Sequence, residues 1–222
     1  MRAMIRFGKE PRLRFISHLD LQRFFQRALN RTGLPIAWTQ GFNPHPVMSF
    51  GSALALGWTS EYEIVDFKLA APMGRKRVEE AMRASLPVDL PVLDARLVDD
   101  KHPAPMAMVQ ASDYFIQPLG ENAGKILETV PEFLNRECVM AIRKTKSGEK
   151  EIDIRPLAIS VQTCENGIHA RLTLTERDTL KPDLLLCSIC EMAGVEVPEV
   201  CIHRECLLGR DASGELKPLM EL

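Results

Sequence analysis

The sequence predicts an α+β protein made of two tandem ferredoxin-like (β-α-β-β-α-β) units. Three observations carry this reading. Segments rich in β-branched and aromatic residues alternate with helical ones in the order strand, helix, strand, strand, helix, strand; that order recurs in the second half; and a run without periodicity, "DDKHPAPMAMVQASD", lies between. The first unit is expected over residues 1–100, a linker over 101–112 and the second unit over 113–222. The halves share element order and little visible sequence, and one continuous α+β domain is the competing arrangement.

Each element has its own signal. "MIRFG" and "LRFIS" read as extended around a "GKEP" turn. In the helix that follows, Leu21, Phe24, Phe25, Ala28 and Leu29 recur at i, i+3, i+4, i+7 and i+8, one buried stripe, and Gly33 with Pro35 ends it. "PIAWTQ" reads as a strand, and "GFNPHP" as a loop because prolines remove donors and bias their predecessors away from helix. "SFGSALALGWTSEYEIVDFKLAA" reads as one or two strands bent near Gly57. "RKRVEEAMRASL" is a helix burying Val78, Ala81, Met82 and Leu86, and "VLDARLV" is a strand. In the second half "YFIQPL" is extended, "NAGKILETVPEFLNRE" is helical with a break at Pro131, and "CVMAIRKTKSGEKEIDIRPLAISVQTC" is a hairpin around "KSGEK". "GIHARLTLT" adds a strand, "PDLLLCSICEMAG" a helix with Pro182 at its start and Gly194 after its end, and "VEVPEVCIHREC" a last strand.

With 222 residues, 45% apolar and 26% charged, the composition is that of an ordinary globular protein. A net charge of −2 argues against a globally basic nucleic-acid binder but permits a local basic face. No stretch approaches the ~20 apolar residues of a spanning helix, so no membrane role is expected. The opening lacks a cleavable apolar run, and six cysteines without an export signal read as reduced thiols in the cytoplasm.

The residues that carry chemistry cluster early. In "SHLD", Ser17 and Asp20 fit a capping box, and His18 falls in the first helical turn, where backbone amides favour neutral imidazole. Arg23, Arg27 and Arg31 lie four apart, flanked by Gln26 and Asn30, with no acidic residue four positions before any of them. Such a row is either a solvated face or a phosphate-contacting track. In "QGFNPHP", Gln40, Phe42, Asn43 and His45 join His18 as a candidate recognition pocket in which Phe42 would stack on a base; a rigid turn closed by an Asx-type bond is the structural alternative. His18 and His45 would form an acid–base pair if they met.

"IRKTKSGEKEIDIRPL" places Arg143, Lys144, Lys146, Lys150 and Arg155 on or near one hairpin. A basic ribbon of this kind follows a nucleic-acid backbone; with Glu149, Glu151 and Asp153 interleaved it equally reads as a salt-bridged surface. Cys187, Cys190, Cys201, His203 and Cys206 have the residue types that zinc or an iron–sulfur cluster takes, but they fall on a helix and a strand instead of a tight turn. Buried free cysteines are the simpler reading, so no metal and no cofactor is expected. No phosphate-cradling glycine loop, nucleophile elbow or dense carboxylate cluster is present.

The stretch "RFISHLDLQRFFQRALNRTGLPIAWTQGFNPHPVMSFGSALALG" resembles the radical-SAM-associated family, a domain of unknown function often encoded beside, or fused to, a cobalamin-binding radical SAM protein. "GEKEIDIRPL" resembles that family's second-half motif, and the similarity is densest over residues 12–57. The resemblance implies a radical SAM partner and gene neighbourhoods with ribosomal proteins and an RNA-processing ribonuclease. The partner's cluster-binding CxxxCxxC does not occur in this chain, which therefore looks like the companion. The C-terminal cysteines are not part of the family pattern. Tandem ferredoxin-like units are also similar to the repeat-processing endoribonucleases of CRISPR systems, an analogy of fold alone. The expected function is an accessory RNA-binding subunit for a radical SAM partner in tRNA or rRNA modification. Arg23, Arg27, Arg31, Lys144, Lys146 and Arg155 would contact phosphate. The alternatives are a metal-independent endoribonuclease using His18 and His45, and a protein-only adaptor.

Overall fold

The computed structural model of the chain describes residues 1–145 and 148–222. The protein divides into two compact units, Met1–Val109 with Cys206–Leu222, and Gln110–Glu205. The C-terminal residues thus return to the first unit, whereas the sequence reading assigns them to the second.

In the first unit β1 (Arg2–Lys9) leads through a single 3₁₀ turn to α1 (His18–Arg31), followed by β2 (Met48–Phe50), β3 (Thr59–Lys68), α2 (Arg75–Ser85), β4 (Val92–Val98) and a short α3 (Pro105–Met108). β1 lies between β4 and β3, antiparallel to both, and β2 pairs antiparallel with the end of β3 from Met48↔Phe67 to Phe50↔Val65. The two-residue side-chain period turns Ala3, Ile5 and Phe7 of β1, with Val65 and Phe67 of β3, toward the helices. There they meet Leu21, Phe25 and Leu29 of α1 and Val78 and Met82 of α2. The Phe25 ring sits 4.7 Å from Phe7 and 5.4 Å from Phe50, tilted or edge-on, the favoured geometry for packed aromatics.

The opposite phase of the same strands carries a buried carboxylate. Asp66 is 4% exposed, with Arg2 3.4 Å away, and desolvation pushes its pKa up to about 6. Arg2 in turn donates to the carbonyls of His102 and Pro103 at 2.6 and 3.0 Å.

The second unit runs β5 (Ala111–Pro118), α4 (Ala123–Asn135), β6 (Met140–Thr145), β7 (Gly148–Asp153), β8 (Ala158–Cys164), β9 (Gly167–Thr173), α5 (Pro182–Ala193) and β10 (Val200–Arg210). From Cys206 onward β10 belongs to the first unit, where it pairs with β11 (Leu216–Pro218). β5 has β10 on one side and β9 on the other, with β8 beyond β9. β6 and β7 form a separate two-stranded antiparallel ribbon inserted after α4. The α+β class holds, and the ribbon is an addition to a plain β-α-β-β-α-β order.

Several local expectations are corrected. "PIAWTQ" forms only isolated bridges, Ile36↔Leu69 and Trp38↔Pro46, the second opposite a residue with no N–H to extend a ladder. "LRFIS" is not a strand: the carbonyls of Arg14 and Ile16 are drawn to the Lys9 ammonium instead of a ladder. The helix at Pro131 does not break; α4 continues to Asn135, since Ile126, Val130 and Phe133 bury one face on both sides of it while the proline lies on the exposed side. The segment between the expected halves contains α3 and the start of β5.

A carboxyl whose folded pKa lies above its ordinary value near 3.9 holds its proton longer in the native state, so its contribution to stability declines as pH rises through that interval. For Asp66 the interval runs from about 4 to about 6. The Asp66→Asn variant, which cannot ionise, is expected to gain on the parent by roughly 2–3 kcal/mol between pH 4 and pH 7.5 in urea melts, and a pH-independent gap would refute the buried titration.

Candidate functional site

The site begins where α1 begins. Ser17 is extended (φ −68°, ψ 157°), its Oγ accepts from the Asp20 amide at 3.1 Å and donates to the Asp20 carboxylate at 2.6 Å. That second bond is the main reason the Asp20 carboxyl is held below the usual carboxylate range. The chain reaches Ser17 in a fixed path because Lys9, 2% exposed, donates its Nζ to the carbonyls of Arg14 at 3.2 Å and Ile16 at 3.1 Å. Burial lowers the Lys9 pKa, and the neighbouring charge of Glu63 opposes that shift. Reading "GKEP" as a turn misses this lysine. Its one sequence signal is phase, since residue 9 continues the core-facing series 3, 5, 7.

His18, the first residue of α1, sets its ring edge-on to Phe50 at 5.2 Å, and the Gln22 side-chain amide lies 3.2 Å from its Nε2. The arginine row divides into three fates. Arg23 pairs with Asp20 at 3.2 Å, three residues back, a spacing that a search four positions back does not find. Arg31 donates to the Ser85 carbonyl at 3.2 Å, the last residue of α2, where a cation complements the helix dipole. Arg27 makes no hydrogen bond or ion pair among the described residues, and only lends its charge through space to Asp20.

The Gln40–Asn43 stretch is the tip of a closed loop. The Thr39 amide donates to the His45 carbonyl at 2.9 Å, the His45 amide donates to Thr39 Oγ1 at 3.1 Å, and Trp38 bridges to Pro46. Gly41 has φ +131°, a conformation other side chains rarely take. His45 Nδ1 lies 3.2 Å from the Asn43 carbonyl and 3.2 Å from Thr39 Oγ1. A nitrogen facing a carbonyl oxygen donates to it, so Nδ1 is committed within the loop. The closure leaves Gln40 and Asn43 exposed and Phe42 fully so. His18 and His45 share no hydrogen bond or ring contact.

A feature that periodicity does not reveal lies beside the helix start. Phe15, Leu19 and Leu56 are large apolar residues left well exposed. The Arg14 guanidinium stands 4.7 Å over the Phe15 ring, and the Arg14 carbonyl accepts from the Gly57 amide at 2.9 Å, which ties the loop before α1 to the loop before β3.

In the second unit, Arg155 donates to the Leu134 carbonyl near the end of α4 at 3.2 Å and to the Ala158 carbonyl at 3.3 Å, with the Phe133 ring 5.7 Å away. It is a clamp between α4 and β8. Lys146 and the Lys144 side chain lie outside the described residues. Among the described residues all six cysteines are free, and no three His, Cys, Asp or Glu side chains converge to hold a metal ion. Cys190 is buried inside α5 and Cys187 is half-buried there, with burial pushing both thiols up. Cys201, His203 and Cys206 stand along β10.

The fold and these surfaces define an α+β protein with a hydrogen-bonded, solvent-facing aromatic loop after a first helix that bears an unengaged arginine. Residues 2–182 match the family described as "Uncharacterized protein conserved in bacteria (DUF2344)", and the chain belongs to that family. No curated protein matches the chain. Among the described residues no helix is long and apolar enough to cross a membrane.

Two substitutions test the helix entry. Ser17→Ala is expected to cost about 1 kcal/mol through loss of the cap. Lys9→Met, which keeps the aliphatic stem but leaves the two carbonyls unmet, is expected to cost about 1–3 kcal/mol. Urea unfolding monitored by circular dichroism measures both.

Proposed function

We propose that this protein is a cytoplasmic accessory subunit that binds RNA for a radical SAM partner, in tRNA or rRNA modification. The observation that carries the reading is Phe42, fully exposed on a loop whose ends are hydrogen-bonded together. A ring held in water by a closed loop gains nothing from packing, and stacking on an unpaired base is chemistry that suits it. Arg27 is ready for a phosphate, and Arg23 can exchange Asp20 for one because a solvent-exposed ion pair of this kind is weak. His18, Gln40, Asn43 and the His45 Nε2 supply polar groups for base edges. The resemblance of "SHLD…R…GLP…QGFNPHP" supports the radical SAM association.

A second reading, a protein-only adaptor, is favoured by the exposed Phe15, Leu19 and Leu56, which suit a partner's apolar segment.

Fluorescence anisotropy with single-stranded and duplex RNA separates these readings. Single strands are expected to bind with affinity that falls as salt rises. Phe42→Ala should weaken binding by about 5- to 100-fold, the range of one lost stacking contact. Arg27→Ala should lower the log–log salt slope by about 1, while Arg31→Ala leaves the affinity unchanged. Absent or salt-independent binding overturns the proposal. Cleavage of labelled RNA in chelator, lost in His45→Ala, would assign the endoribonuclease role. Capture of a radical SAM protein free of nucleic acid, lost in Phe15→Asp, would assign the adaptor.

A further inference from the structure

The second unit holds a cavity that the RNA reading does not use. Its volume is about 650 Å³, within the span of small-molecule sites, roughly 300–1,000 Å³. It opens between the β6 strand and the start of α5, with Ile142 and Leu184 as apolar wall and Arg143, Lys181, Asp183 and Cys187 among the polar lining.

The charges of the described lining residues do not cancel. Arg143 makes one hydrogen bond among the described residues, to the Thr179 carbonyl at 3.4 Å through Nη1, which leaves the remaining N–H groups of its fork uncommitted. The Lys181 ammonium makes no hydrogen bond among the described residues, and feels Asp183 only through space. Among the described lining residues there are two cations and one carboxylate. Ile142 meanwhile is a large apolar side chain left 59% exposed on a ribbon, where solvent offers it nothing.

We propose that this cavity binds a small amphipathic monoanion. Its apolar body lies against Ile142 and Leu184, and its single anionic group is taken by Arg143 and Lys181. Asp183 sets the charge limit: a second negative group on the ligand would meet that carboxylate, whereas one negative group balances the described lining residues. The thiol of Cys187 stands at the wall as a natural reporter of occupancy.

The probe is 1-anilinonaphthalene-8-sulfonate added to the intact chain, with uncharged N-phenyl-1-naphthylamine as its counterpart of the same aromatic body. Saturable binding of the sulfonate is expected, at least tenfold tighter than the neutral amine. Arg143→Glu and Leu184→Asp should each weaken it tenfold or more, Arg143→Lys should retain most of it, and Phe42→Ala should leave it unchanged. The bound sulfonate should slow alkylation of Cys187 by iodoacetamide, mapped by mass spectrometry, and leave unchanged that of Cys138, an exposed free thiol just before β6. If Leu184→Asp fails to fold by circular dichroism, Arg143→Glu alone decides, since that side chain is outside the core. Equal affinity for the neutral amine, indifference to Arg143→Glu, or unprotected Cys187 overturns the proposal.

Discussion

The Lys9 ammonium, almost wholly removed from water, has to find acceptors or give up its charge. It finds the carbonyls of Arg14 and Ile16, and by doing so ties the end of β1 to the segment that delivers Ser17. Much of the first unit follows from that tie. The Ser17 cap starts α1 in one register, and the register turns Leu21, Phe25 and Leu29 to the sheet and leaves Arg23 and Arg27 outside. Phe25 then meets Phe50, whose strand is reached through the closed loop from Thr39 to His45. A buried cation on a strand thus helps set which side chains of α1 face the sheet and which face solvent.

Arginine serves two purposes in this chain, and spacing alone does not tell them apart. Arg31 reaches the last carbonyl of α2, and Arg155 reaches the last turn of α4, each placing positive charge where a helix concentrates negative potential. Such residues hold elements together. Arg27, on the same stripe as Arg31, holds no other group among the described residues. A four-residue repeat states that three guanidinium groups share a face; their reach along that face depends on where the neighbouring helix ends, and that is a tertiary fact.

The helices were legible because their apolar stripes are long and regular, as in α1 and α2, where burial follows the stripe. Pro131 shows the limit of a local rule: a ring that removes one backbone bond is outweighed when Val130 and Phe133 bury the turn around it. The loop "GFNPHP" was legible as a loop, since its prolines forbid helix, but its hydrogen-bonded closure was not, because Thr39 lies outside the motif. Exposed Phe15 and Leu56 carry no periodic signature at all. The Arg23–Asp20 pair was within reach of the sequence at three-residue spacing.

β10 gives its first residues to one unit and, from Cys206, its remaining residues to the other. The second unit is therefore an insertion within the chain of the first, bounded on both sides by residues of its host. Emerging from a ribosome, the inserted unit has all of its residues available before the host receives its closing strand segment, so vectorial synthesis completes the guest first and the host last.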